Sequence, residues 1–82
     1  METTITDVKK IKLITIADLM DFINTTSSIT GEVLVATEGG NTIVNGKSLL
    51  GVMSLNIMKP LIVTYPAEEY YYKDFLNRFS IN

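Results

Sequence analysis

The sequence predicts an α+β domain, an open-faced β-sandwich in which three helices cover one face of a four-stranded antiparallel sheet. Three observations carry that expectation. Two stretches repeat apolar residues at helical spacing. Four short runs are rich in apolar and β-branched residues and are bounded by turn-forming ones. Strands and helices then alternate in the order strand, helix, strand, strand, short helix, strand, helix. The whole 82-residue chain reads as one domain, with residues 1–7 as a short extension or part of the first strand. A chain of this size buries only about 60% of the surface its unfolded form exposes, so each packing contact matters.

The first strand is expected over 8–13, with Ile11 and Leu13 facing inward. A helix begins near Thr15, where Ile16, Leu19, Met20 and Ile23 fall at i, i+3, i+4 and i+7. Thr15 suits the N-cap, and Asp18 three residues on completes a near capping box. The polar run Asn24 to Ser28 is expected to end that helix, because short polar side chains compete for backbone hydrogen bonds. Glu32 to Thr37 reads as a strand and Thr42 to Val44 as its return, joined by a hairpin turn through Gly39 and Gly40. Glycine accepts the positive φ that such turns use.

A short helix is expected from Ser48 to about Leu55, and a strand over 61–65. Pro66 is placed at the first position of the last helix, a site that suits proline. Glu68 and Glu69 then occupy its first turn and Arg78 its end, in accord with the helix dipole. Tyr71, Tyr72, Phe75, Leu76 and Phe79 form its apolar face. Helical spacing favours core packing for Tyr71 and Tyr72 and leaves Tyr70 exposed.

Composition narrows the function. The chain has no His and no Cys, which removes the commonest general base, the thiol nucleophile and the usual soft-metal ligands. No disulfide can form, no run approaches a membrane span, and the polar N-terminus lacks the character of a secretory signal, so a soluble cytoplasmic protein is expected. The basic residues are scattered, with Lys9, Lys10 and Lys12 as their one cluster. That cluster reads as a solvated strand or loop, and nucleic acid is not expected as a partner. Asp18 and Asp21 lie three apart on one helix but read as its solvated face. The chain is expected to be no enzyme and to carry no cofactor or metal, since this inventory does not fill the convergent roles a catalytic site needs.

The segment Lys47-Ser48-Leu49-Leu50-Gly51-Val52-Met53-Ser54-Leu55 carries a more specific signal. It resembles the regulatory-serine segment of the bacterial phosphocarrier HPr family, in which a serine caps a short helix before two apolar residues and Gly-Val-Met-Ser-Leu. The element order over residues 8–79 fits that family as well. The resemblance implies the HPr-like form of the open-faced sandwich, a bacterial setting and a relation to the sugar phosphotransferase system. It also implies regulatory phosphorylation at Ser48 by an HPr kinase/phosphorylase, docking on a transcription regulator, and a docking patch of Lys47, Leu49, Leu50 and Met53.

The departure from the family is at the phosphocarrier loop. Aligned on Ala17, the histidine position falls on Leu13, the arginine on Thr15 and the proline on Ile16. Leucine accepts no phosphoryl group, so histidine-phosphate transfer is excluded. The catabolite-repression HPr-like proteins have also lost this histidine and keep only the serine branch.

Two readings of function remain open at this point. In the first, the chain is a non-catalytic HPr-like regulatory module switched at Ser48. In the second, it is a scaffold or self-associating protein without a switch, and Leu13 and Ile14 form a new apolar surface for another protein or a homodimer. Ser48 itself reads equally as a plain helix cap, and Leu49, Leu50 and Met53 as core.

Overall fold

The computed structural model describes residues 5–81 and contains β1 (Thr6–Ile11), α1 (Ile16–Ser28), β2 (Leu34–Thr37), β3 (Ile43–Asn45), α2 (Leu49–Met53), β4 (Leu61–Pro66) and α3 (Tyr70–Asn77). The strands form one antiparallel sheet in the order β1-β4-β2-β3. This is the α+β open-faced sandwich read from the sequence.

Strand alternation divides the sheet into two faces. Ile11, Val33, Val35, Leu61, Val63 and Tyr65 are fully buried and pack with Leu19, Phe22, Ile23, Val52, Tyr72 and Leu76 from the helices. On the other face lie Val8, Lys10, Leu34, Ala36, Ile43, Ile62 and Thr64, which range from half-buried to exposed. The outer edge of β1 is partly covered by the C-terminal segment, where the Lys12 amide donates to the Phe79 carbonyl and the Ile81 amide to the Lys10 carbonyl.

Long-range packing corrects several sequence expectations. Helix α1 does not end in the Asn24–Ser28 run but passes through it to Ser28. Thr26 is fully buried and shares a 2.6 Å hydrogen bond with the Tyr72 hydroxyl, so its polar side chain is satisfied inside the core. The buried stripe of α1 is Leu19, Phe22, Ile23 and Thr26, while Ile16 and Met20 face outward. Pro66 ends β4 and pairs with Thr6, because β1 begins earlier than 8–13 and extends the ladder to that point. The last helix therefore starts at Tyr70, with Glu69 as N-cap and Arg78 as C-cap. Its inward residues are Tyr72 and Leu76, flanked by half-buried Phe75 and Phe79, and Tyr71 is 92% exposed. The part of the N-terminal extension before Ile5 lies outside the described residues.

The aromatic layer joins α3 to the sheet. Tyr65 and Tyr72 meet edge to face at 5.6 Å, and Tyr72 stacks on Phe75 at 6.0 Å. The Tyr65 hydroxyl is buried with no hydrogen-bond partner among the described residues, and burial, reinforced by the Asp7 carboxylate, pushes its phenol above the ordinary value. Burial likewise pushes Tyr72 up to about 12.

Candidate functional site

The segment that enters α2 is built from local polar contacts. The Asn45 side chain accepts from the Lys47 amide at 2.9 Å, and its carbonyl accepts from the Ser48 amide at 3.0 Å. This turn delivers Ser48 in an extended conformation at the N-cap, where its hydroxyl accepts from the Gly51 amide at 3.0 Å. The first amides of any helix lack partners inside it, which is why a serine is placed well there. At the other end, the Ser54 hydroxyl donates to the Gly51 carbonyl at 2.6 Å.

Two glycines permit the close approach of this segment to the sheet. A Cβ on Gly46 would stand 2.8 Å from Val33 Cγ1 and 3.1 Å from Val35 Cγ2, both in the buried core. A Cβ on Gly51 would stand 3.1 Å from the Ser48 hydroxyl oxygen and 3.4 Å from Val44 Cβ. Gly46 thus sets the depth at which the turn sits, and Gly51 leaves the space around the Ser48 oxygen open.

The structure sorts the apolar residues of the segment. Val52 is fully buried, Leu55 nearly so, and Leu49 packs half-buried against the core. Leu50 is 80% exposed and Met53 55% exposed. Of the three apolar patch candidates, therefore, two face outward and Leu49 serves mainly as packing. Lys47 is half-buried, and its ammonium donates to the Ile29 carbonyl at 2.7 Å. It ties the entry of α2 to the end of α1.

The region matched to the histidine loop has a different character from the apolar surface expected at Leu13 and Ile14. Leu13 is 3% exposed and belongs to the core cluster, while Ile14 alone points outward. The turn from β1 to α1 is short enough that Leu13 continues the inward alternation begun by Ile11. The N-terminus of α1 is occupied by the chain's own carboxylate. Asp18 accepts from the Ile14 and Thr15 amides at 3.0 and 3.2 Å, and Thr15 accepts in return from the Asp18 amide at 3.0 Å. The Ile14 amide bond, followed by those to Thr15, holds the Asp18 carboxyl below its ordinary value. A cavity of about 340 Å³ opens beside it, lined by Lys12, Asp18, Arg78 and Phe79 among others. Arg78 lies over the Phe75 and Phe79 rings at 5.6 and 5.4 Å, and the Lys12 ammonium is engaged by the Met58 carbonyl.

Outward-facing Ile16 and Met20, one turn apart on α1, were hidden from sequence reasoning by their helical spacing with Leu19 and Ile23. Phe22 and Thr26 carried the phase signal, since only with both included does the stripe turn away from Ile16. Among the described residues, no three metal-ligating side chains come together and no helix is long and apolar enough to cross a membrane.

No protein-family model, no curated protein and no solved structure matches this chain.

Proposed function

We propose that this chain is a non-catalytic regulatory binding module of the HPr type, controlled by phosphorylation at Ser48 and docking partners through the outward side of α2. The observation that carries the proposal is the joint placement of Ser48 at an N-cap and of Leu50 and Met53 exposed beside it. The nine-residue likeness of 47–55 to the regulatory segment supports the kinship.

A kinase would transfer the γ-phosphoryl group of ATP to the Ser48 oxygen, releasing ADP and the hydroxyl proton. The phosphate then meets the partnerless first-turn amides of α2 and gains charge-assisted hydrogen bonds. It changes the charge beside Leu50 and Met53 with little refolding, which is the kind of local change a partner reads. The partners of this reading are an HPr kinase/phosphorylase, which writes the mark, and a transcription regulator, which binds it.

The test is mass spectrometry after incubation with an HPr kinase and ATP, with Ser48→Ala as control. One phosphate that is absent from the variant supports the proposal. An unmodified, folded wild-type chain overturns it.

A further inference from the structure

We propose that the open face of the sheet is a self-association surface, on which a second copy of this chain packs face to face with its strands reversed. This surface lies opposite the helices and is independent of Ser48. Two cross-strand rows form its centre: Val8, Thr64, Leu34 and Asn45 in one, and Lys10, Ile62, Ala36 and Ile43 in the other. Val8 is 54% and Ile43 65% exposed, and Leu34, Ala36 and Ile62 are half-buried with nothing over them among the described residues.

Charge selects both the occupant and its orientation. The end of the face near Thr6 and Pro66 holds a cavity of about 270 Å³, walled by Leu34, Thr64 and Pro66 and rimmed by Glu32, Glu68 and Glu69. Among the described residues these three carboxylates make no ion pair. The opposite end carries Lys10 on the face, with Lys59 just before Pro60 at the same end. Lys10 holds Glu38 at 2.6 Å within its own chain and is only half-buried there.

Two facing sheets are related by a two-fold axis lying in the plane between them. An axis along the strands sets the carboxylate ends of both copies against each other. An axis across the strands sets the three carboxylates of each copy over the end of the other that holds Lys10, Lys59 and the Glu38 paired with Lys10. That second arrangement also stacks one row on the other row of the partner. Leu34 then faces Ala36 and Ile43 faces Asn45, so large residues meet smaller ones, as interdigitated sheets require. The cavity walled by Leu34 and Pro66 receives the apolar stem of a partner lysine, with its ammonium at the carboxylate rim.

The size of the face sets the strength. Strands of six, six, four and three residues, about 4.8 Å apart with a rise of about 3.3 Å per residue, give a projected area of about 300 Å² per copy. A total of about 600 Å² lies at the small end of weak, transient contacts, so the dimer is expected only at high protein concentration.

Sedimentation velocity from 10 µM to 1 mM tests this. The expected result is a shift from monomer to dimer over that range, weakened by added salt. The pair Val8→Lys and Ile43→Lys, both at exposed positions, should keep the chain monomeric at 1 mM with its thermal midpoint retained. Lys10→Glu should weaken association about tenfold, and adding Glu68→Lys to it should restore the dimer. A monomer at every concentration overturns the proposal and leaves the face to a different kind of partner. A dimer untouched by the two lysine substitutions also overturns it, placing the contact elsewhere, as at Leu50 and Met53.

Discussion

The hydrogen bond between Thr26 and Tyr72 joins α1 to α3 inside the core, and its removal has a sharp signature. Both residues are buried, at 0% and 1% exposure, and their oxygens stand 2.6 Å apart. Thr26→Val keeps the shape of the side chain but orphans the Tyr72 hydroxyl, in a layer where the Tyr65 hydroxyl already has no partner among the described residues. Leaving a buried polar group unsatisfied costs about 1–3 kcal/mol. Tyr72→Phe orphans Thr26 in turn, but a helical threonine can turn its hydroxyl to a carbonyl one turn back, so its cost is nearer 1 kcal/mol. The double variant removes both polar atoms and keeps the packing. It is expected to be more stable than Thr26→Val alone, with a coupling of about 1–2 kcal/mol.

Urea denaturation of the four proteins at pH 7 measures this cycle. For a domain of this size each kcal/mol also moves the thermal midpoint by about 4–8 °C. Alkaline titration supplies a second arm. Tyr72 is raised to about 12 in the folded protein, so between pH 10 and 12 the unfolded chain loses its phenolic proton first. Stability is therefore full below pH 10 and falls as the pH rises through that window, by about 2–3 kcal/mol in total. Tyr65, shifted in the same direction, adds to the fall. In Tyr72→Phe the loss should be visibly smaller. Additive costs in the cycle, or an alkaline limb unchanged by Tyr72→Phe, would refute the reasoning.

Three further outcomes are expected. Gly46→Ala pushes a Cβ to within 2.8 Å of Val33 and should destabilise by about 2 kcal/mol in urea, with part of the loss recovered in combination with Val33→Ala. Ser48→Ala removes the cap of α2 and should cost about 1 kcal/mol, whereas Ser48→Asp, which still accepts from the Gly51 amide, should cost less. The Asp18 carboxyl should titrate below the ordinary aspartate value by NMR, so its contribution is present above that value and is lost as pH falls through the lowered one. Thr15→Ala should move the titration back toward normal.

Much of the fold was legible because the signals were local. The Thr15–Asp18 capping box, the Ser48 cap and the glycine turn each depend on residues within four positions of one another, and the structure places them as their patterns imply. What was not legible depended on partners far along the chain. The Asn24–Ser28 run looks like a helix stop until Tyr72, 46 residues after Thr26, supplies a bond. Pro66 looks like a helix start until β1 is seen to reach Thr6. At the candidate site, the cap and Gly51 could be read in advance, but not which apolar residues face outward. Leu49 and Leu50 are adjacent and identical, and only the position of the sheet decides that one packs and the other is exposed.

The same geometry explains why the region matched to the histidine loop and the α2 segment have such different prospects for taking a phosphate. Both are helix N-termini, which favour negative charge. At α1 the place is already filled, since Asp18 accepts from the Ile14 and Thr15 amides and carries a carboxyl held toward its ionised form. A phosphate there would have to displace a charge of its own sign. At α2 the cap is a neutral hydroxyl with one hydrogen bond, and Gly51 leaves room beside it. Added charge at Ser48 meets no resident carboxylate in the cap and finds the amides of the first turn within reach. A carboxylate in the cap separates these effects: Ser48→Asp puts negative charge at the N-terminus of α2, and should block phosphorylation while retaining the helix. A phosphorylated Ser48→Asp protein would mean that the kinase acts at another residue, and the assignment of the switch to this cap would fall.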